Sequence, residues 1–391
     1  MNPFDTPERR ALRESCRRFV RREILPHLDD WERAGEVPRE LHKATAAAGL
    51  LAVGYPEEVG GSGGDGIDST VVTESFIEAG ASSGLLAALF THGIALSHII
   101  AAGAADLVDR FVRPTLAGEL IGSLAVTEAD GGSDVARMRC RAVRDGDHYV
   151  VNGAKTFITS GVRADFVTTA VRTGAAPSGT PRTPGGHRGI SLLVIERDTP
   201  GFTVSRKLDK MGWRCSDTAE LAFNDARVPA RNLVGPENGG FVLLMKQFVG
   251  ERLGLATHAH SIAARALELT VEYAKARSTF GSPLIGRQVV QHRLVQMRQR
   301  VELARTYTRS IVARAAAGGE PPVAEACLAK NAAVEACDWV VDQAVQLHGG
   351  MGYMRESEVE RHYRDARILG IGGGATEVLT DLVAKLSGYT G

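Results

Sequence analysis

Three helical stretches, 241–277, 288–317 and 323–347, constrain this chain most, because each runs for more than twenty residues without a break. They are separated by Gly281 with Pro283 and by Gly318-Gly319 with Pro321-Pro322, and the last ends at His348-Gly349-Gly350. Glycine ends a helix because it adopts left-handed backbone freely, and proline because it has no N–H to continue the ladder. Long helices joined by such short connections run antiparallel and pack as an up-down bundle. Residues 235–391 are therefore expected to form a C-terminal four-helix bundle domain.

The rest of the chain divides in two. Residues 1–120 read as an N-terminal helical domain, with helices expected at 7–28, 41–51, 69–79 and 106–117 and a nearly uncharged one, buried on most sides, at 85–103. From 121 to 234 short β-branched runs replace the helical period, at 149–151, 166–171, 190–195, 202–204 and 218–223, which predicts a middle β-domain. Asp145-Gly146 and Asn152-Gly153 have the chemistry of hairpin turns. The Gly-, Pro-, Ser- and Thr-rich stretch 174–189 is expected to be a mobile surface loop. The fold class is α+β.

Composition narrows the function. Lys+Arg and Asp+Glu are equal at 46 each, so there is no basic surplus to neutralise a nucleic-acid backbone. The five cysteines are odd in number and form no CxxC pair, a pattern expected of buried thiols in a reducing compartment. The charged N-terminus lacks an apolar core, and no uncharged run is expected to approach the ~20 residues that span a bilayer. These readings predict a soluble, cytoplasmic protein without nucleic-acid or membrane partners. The glycine-rich loop 60–66 has no Lys-Ser/Thr after it, and no GxGxxG opens a helix after a strand. His258 and His260, two apart on a helix, are expected to be packing residues and no metal is expected.

Six segments in fixed order carry chemistry. They are TEADGGSD at 127–134, NGAKTFITSG at 152–161, DTAEL at 217–221 with Val228-Pro229, RSTFG at 277–281 with Leu284 and Gln288, QLHGGMGY at 346–353, and YRDA at 363–366. Together they resemble the acyl-CoA dehydrogenase family, whose usual forms include TEPxxGSD, NGxKxWITN, RxxFGxxLxxxQ and QxxGGxGY. The likeness covers essentially the whole chain. It implies FAD as cofactor and α,β-dehydrogenation of an acyl-CoA thioester, with an electron-transfer flavoprotein as acceptor. By resemblance, Leu124, Val126, Thr127, Gly132, Ser133, Phe157, Ile158 and Thr159 line the flavin, with Phe157 in place of the family's Trp. Arg277, Phe280 and Gln288, with Gln346, Gly349 and Gly350, resemble the pyrophosphate and adenosine contacts of a neighbouring subunit, which implies a homodimer or homotetramer. Arginine suits that role because its planar fork pairs with phosphate bidentately.

One departure decides the candidate base. Most of the family place a glutamate in a C-terminal YEGT loop, whereas this chain reads IGGGATE at 371–377, with Gly373 at that position. A minority, including isovaleryl- and long-chain acyl-CoA dehydrogenases, carry the base on a bundle helix within ERL, and here FVGERLGL occupies 248–255. Residue spacing agrees. Leu244, Phe248, Glu251 and Leu255 fall on one helical stripe on which Glu251 is the only charge, and Gly250 and Gly254 leave room beside it. A carboxylate in apolar surroundings has a raised pKa and is a better base near neutrality. Ser133, Arg252, Gly373 and Gly374 are the substrate-side candidates, with a salt bridge an equal reading for Arg252, and Thr376 and Glu377 complete the cofactor set. Two other readings stay open: the same fold as an acyl-CoA oxidase or flavin monooxygenase, and a non-catalytic FAD scaffold that binds acyl thioesters. Acyl chain length and the choice of CoA or acyl carrier protein are not readable.

Overall fold

A computed structural model describes residues 2–174 and 188–389, so most of the loop expected at 174–189 lies outside the described residues. The helix α1 (Pro7–Phe19) opens on Thr6, whose hydroxyl accepts from the Arg9 amide at 3.3 Å, with Pro7 at the first helical position. It continues into a wider turn, Val20–Ile24, and is followed by α2 (Leu28–Ala34), which the sequence reading did not expect. Next come α3 (Arg39–Ala47) and α4 (Gly66–Glu78), the latter capped reciprocally by Asp65 and Asp68.

The single helix expected at 85–103 is two, α5 (Ser83–Leu89) and α6 (His92–Ala102). The break falls where the Thr91 hydroxyl bonds back to the Ala87 carbonyl and meets the Ser160 hydroxyl at 2.7 Å. The stretch Ser83–Ala102 is nonetheless long and apolar enough by composition to cross a membrane, which corrects the expectation that no run approaches that length. Its physical use here is as core: Leu85, Leu86, Leu89, Leu96 and Ile99 are buried between neighbouring elements. The short α7 (Ala105–Leu107) and α8 (Arg113–Leu116) close the domain around a second wide turn.

The middle domain is one eight-stranded sheet. Its strands are β1 (Gly122–Ala125), β2 (Arg141–Asp145), β3 (His148–Thr159), β4 (Phe166–Arg172), β5 (Ile190–Glu196), β6 (Phe202–Lys207), β7 (Thr218–Pro229) and β8 (Leu233–Val234). They lie in the order β6-β7-β3-β2-β4-β5-β8, with β1 added parallel to β4. Every residue of β4 is buried, as expected of a strand covered on both faces. Asp145-Gly146 does turn β2 into β3, with Gly146 at φ +62°. Asn152-Gly153 does not turn the chain. It sits inside β3, where the register with β7 shifts between Val151 and Gly153. A Cβ on Gly153 would lie 2.7 Å from the Cys140 Cα, so close strand approach is what requires glycine there.

The C-terminal region is built from α9 (Gly240–Ala276), α10 (Gln288–Ala316) and α11 (Val323–His348). A two-stranded hairpin, β9 (Ser278–Thr279) with β10 (Ser282–Pro283), links the first two. The shorter α12 (Glu358–Ala366) and α13 (Thr376–Leu386) follow, and α13 is tied to α11 by the Asn331 amide donating to the Thr376 carbonyl at 3.0 Å. One apolar core runs from Cys16 and Phe19 of α1 through Ile262 and Ala263 of α9 to Cys337 and Val340 of α11. The N-terminal helices and the bundle thus share their interior. All five cysteines are buried free thiols.

Candidate active site

The site begins where the sheet frays. Beyond β1 the chain leaves the sheet at Val126 and is fastened from below. The Thr156 amide donates to the Thr127 carbonyl at 3.0 Å, and Lys155 Nζ reaches the Val126 carbonyl at 2.9 Å and Glu128 Oε1 at 2.8 Å. The Glu128 carboxylate also accepts from the amides of Arg139 and Cys140, at 2.6 and 2.9 Å. Burial pushes the Glu128 carboxyl up, but Lys155 and these amides outweigh it and hold it below the ordinary value. This pin was not anticipated. Its signal was available, since Lys155 is a lone cation within an alternating strand and Glu128 follows Thr127 in the first motif.

A second register shift in β3, between Lys155 and Ile158, throws Phe157 outward. Phe157 has φ +60° and is 67% exposed, while its neighbour Ile158 is buried on the other face. A bulky residue held left-handed costs about 1–3 kcal/mol, so such positions mark constrained function. Around it stand half-buried Leu124, Val126, Thr127 and Thr159, and Gly132 is close enough for a Cβ on it to lie 3.7 Å from Thr127 Cγ2. Ser133 is exposed. An apolar aromatic face bordered by hydroxyls and by a loop that has left its sheet fits a flat ring system with a polar rim. These residues suit an isoalloxazine.

The remaining cofactor candidates lie elsewhere. Arg277, Phe280, Gln288, Gln346, Gly349 and Gly350 are all exposed, and Phe280, at the hairpin tip with φ +50°, is 98% so. His348 stacks on Tyr273 with ring centroids 4.3 Å apart, which holds the 346–350 segment near the hairpin end of α9. That end is about 39 Å along the helix axis from Glu251, at ~1.5 Å rise per residue. One chain therefore holds this second set far from its own Glu251. Thr376 and Glu377 instead open α13, beside the Gly373 loop.

Glu251 stands in the first half of α9 with its stripe as expected: Leu244 is buried, Phe248 and Leu255 half-buried. Glu251 itself lies deep in the fold yet is only half-covered. On the flank of Gly250 and Gly254 an added Cβ would meet nothing within 4 Å, which leaves open space beside the carboxylate. Burial pushes the Glu251 carboxyl above its ordinary value, against the opposing attraction of Arg252 and Lys330.

The C-terminal loop meets it there. A Cβ built on Gly373 would lie 2.4 Å from Leu255 Cδ1 and 3.5 Å from Glu251 Oε1. The two positions at which the resemblance places a base are thus neighbours in space, and a side chain at one intrudes on the other. Gly373 and Gly374 have φ of +64° and +106°, and among the described residues their amides donate to no protein acceptor. Successive free N–H groups in left-handed backbone form a concavity for a partly negative oxygen. Arg252, next to Glu251, is buried with its guanidinium 5.5 Å from the Phe248 ring centroid, and the salt bridge considered for it is not formed among the described residues. His258 hydrogen-bonds Ser83 at 2.9 Å, and His260 lies buried beside Glu74.

Lys330 was also missed. It is buried on α11 between Ala326, Cys327, Ala333 and Val334, and it donates to the Gly374 carbonyl at 2.8 Å. The signal that found Glu251, one charge on an apolar helical stripe, finds it too.

Comparison with known proteins agrees with this geometry. Family models described as acyl-CoA dehydrogenase N-terminal, middle and C-terminal domains match residues 6–119, 123–226 and 238–387. The long-chain specific mitochondrial acyl-CoA dehydrogenase of Rattus norvegicus is 36% identical over 379 residues, 97% of this chain and 86% of that protein. The short-chain specific enzyme of Bos taurus is 35% identical over 373 residues, 95% and 88%. The crystal structure of an acyl-CoA dehydrogenase from Geobacillus kaustophilus superposes with a TM-score of 0.92 at 38% identity, covering 99% of this chain and all of that one. Fold and sequence converge: the chain belongs to the acyl-CoA dehydrogenase family, whose members are FAD-dependent oxidoreductases acting on CH–CH bonds.

Proposed function

We propose that this protein desaturates an acyl-CoA thioester between its α and β carbons to the trans-2-enoyl-CoA, with Glu251 as base and an electron-transfer flavoprotein as electron acceptor. The carrying observation is the placement of a half-covered carboxylate, its pKa raised by burial, against a loop that offers two free amides. Bound FAD supplies the hydride acceptor. Leu124, Val126, Thr127, Phe157 and Thr159 hold its ring, and Gly132 and Ser133 border it. The Gly373 and Gly374 amides polarise the thioester carbonyl, which acidifies the α-hydrogen as an oxyanion hole does. Glu251 then takes the α-proton while the apolar side chains of Phe248 and Leu255 keep water from competing. Arg277, Phe280, Gln288, Gln346, Gly349 and Gly350 serve the cofactor of a second subunit, a role supported by their exposure and distance from Glu251. A cytoplasmic location belongs to the same reading, on the strength of the buried free thiols.

Similar identity to long- and short-chain relatives leaves chain length to experiment. FAD-loaded protein mixed anaerobically with straight, branched and cyclic acyl-CoAs should lose flavin absorbance with at least one class. The reduced protein should then reoxidise quickly with an electron-transfer flavoprotein and slowly in air. Fast reoxidation in air would replace the dehydrogenase reading with an oxidase. The loop carries its own prediction. Gly373→Ala forces a left-handed residue at a cost of about 1–3 kcal/mol and drives its Cβ onto Leu255, so thioester affinity should fall roughly five- to a hundredfold with FAD content unchanged. Affinity equal to wild type, measured by flavin-detected titration, would remove the loop from the binding site.

A further inference from the structure

The base helix is not the only element to bury a charge at this end of the bundle. Lys330 is fully buried, yet among the described residues no carboxylate lies within 4.0 Å of its ammonium. Among the described residues it donates to the Gly374 carbonyl at 2.8 Å. Burying a lysine is costly, and a single neutral acceptor offsets little of that cost. The groups that face it are Glu251 and Arg252 from α9, Cys327 and Asp338 from its own helix, and Glu377 from the start of α13. The bond therefore joins α11 to the loop that meets the candidate base.

We propose that Lys330 is a positioning residue for the reaction: its ammonium fixes the Gly374 carbonyl, so that the Gly373 and Gly374 amides face the thioester, and its charge, with that of Arg252, favours the ionised form of Glu251. The proposal rests on the reading of Glu251 as base. Burial and the like charge of Arg252 push Lys330 down to about 8, against the pull of Glu251. Lys330 thus carries its charge at neutral pH and loses it just above. The neutral amine donates a weaker bond, and the loop loosens.

The test compares wild type, Lys330→Arg, Lys330→Met and Glu251→Gln as FAD-loaded proteins. Two quantities are followed against pH: the single-turnover rate of flavin bleaching, and the affinity for a non-reacting thioether analogue of acyl-CoA. A hydrogen bond from a charged donor is worth roughly ten- to a hundredfold in binding, so Lys330→Met should weaken analogue affinity by about that factor. Without the lysine's attraction for the carboxylate, the acid limb of its bleaching rate should move to higher pH. Lys330→Arg keeps the charge and should keep the wild-type acid limb. Wild type should bind the analogue progressively less well above about pH 8, which tests the clamp even if the Met variant fails to load FAD. A purely structural lysine would leave the acid limb of the Met variant in place and the wild-type affinity flat from about pH 7 to 10, and that result overturns the proposal. Undiminished bleaching by Glu251→Gln would instead overturn the base, so the two failures are separable.

Discussion

Glu251→Gln should slow flavin bleaching by an acyl-CoA about 10²- to 10⁴-fold, the range a positioned general base supplies, while FAD content and thioester affinity stay at wild-type values. The amide keeps the volume and polarity of the carboxylate and loses only its ability to take a proton. The loop position at which most of the family carry a glutamate is Gly373 here, and its Cβ direction is filled by Leu255. The pH dependence has a definite sign. Burial raises the Glu251 pKa, so the reactive ionised form is lost at a higher pH than for an ordinary glutamate. The bleaching rate should therefore fall on acidification through a limb above the usual carboxylate range.

The second large effect concerns stability. Glu74 of α4 is fully buried and pairs with Arg13 of α1 at 3.0 Å and Arg309 of α10 at 2.6 Å, with His260 of α9 at 3.9 Å. One carboxylate thus ties two N-terminal helices to two bundle helices, one of which carries Glu251. Glu74→Gln leaves two arginines facing an uncharged amide in the interior, and breaking a buried pair in this way costs about 3–5 kcal/mol. Urea unfolding of the FAD-loaded variant should show that loss. An unchanged midpoint would show that this buried network adds no net stability. Burial alone pushes the Glu74 carboxyl up, but the arginine partners overcome it and bring it down to about 2 from the ordinary 4.5. The folded state therefore binds this proton less readily than the unfolded one. Its contribution is complete above about pH 4.5 and is lost as the pH falls toward 2.

The architecture was legible because the two hydrophobic periods are unmistakable. Long 3.6-residue patterns gave α9, α10 and α11 almost to the residue, and runs rich in apolar and β-branched residues gave β4 and β5. What was not legible depended on partners distant in the chain. The break at Phe90 and Thr91 falls in a run apolar on every side, so no period marks it, and it is completed by Ser160 from the β-domain. Asn152-Gly153 has the local chemistry of a turn, and the approach of Cys140, just before β2, goes with its place as a bulge inside β3. At the site, Glu251 was found because an empty loop position and a charge on an apolar stripe pointed the same way. Lys330 and Lys155 each show as a lone charge in an apolar pattern, but what each does depends on backbone carbonyls and amides of other elements, which that pattern does not name. Side-chain patterns record which residues are buried, and they are silent on which main-chain groups those residues hold.

The most direct test of the central claim separates proton removal from hydride loss. An acyl-CoA whose β-carbon is replaced by sulfur has an acidic α-hydrogen and no β-hydride to give. Incubated in D₂O with the FAD-loaded protein and followed by NMR, its α-position should exchange for deuterium with wild type and remain protonated with Glu251→Gln. Exchange by the variant at the wild-type rate would show that another group removes the proton.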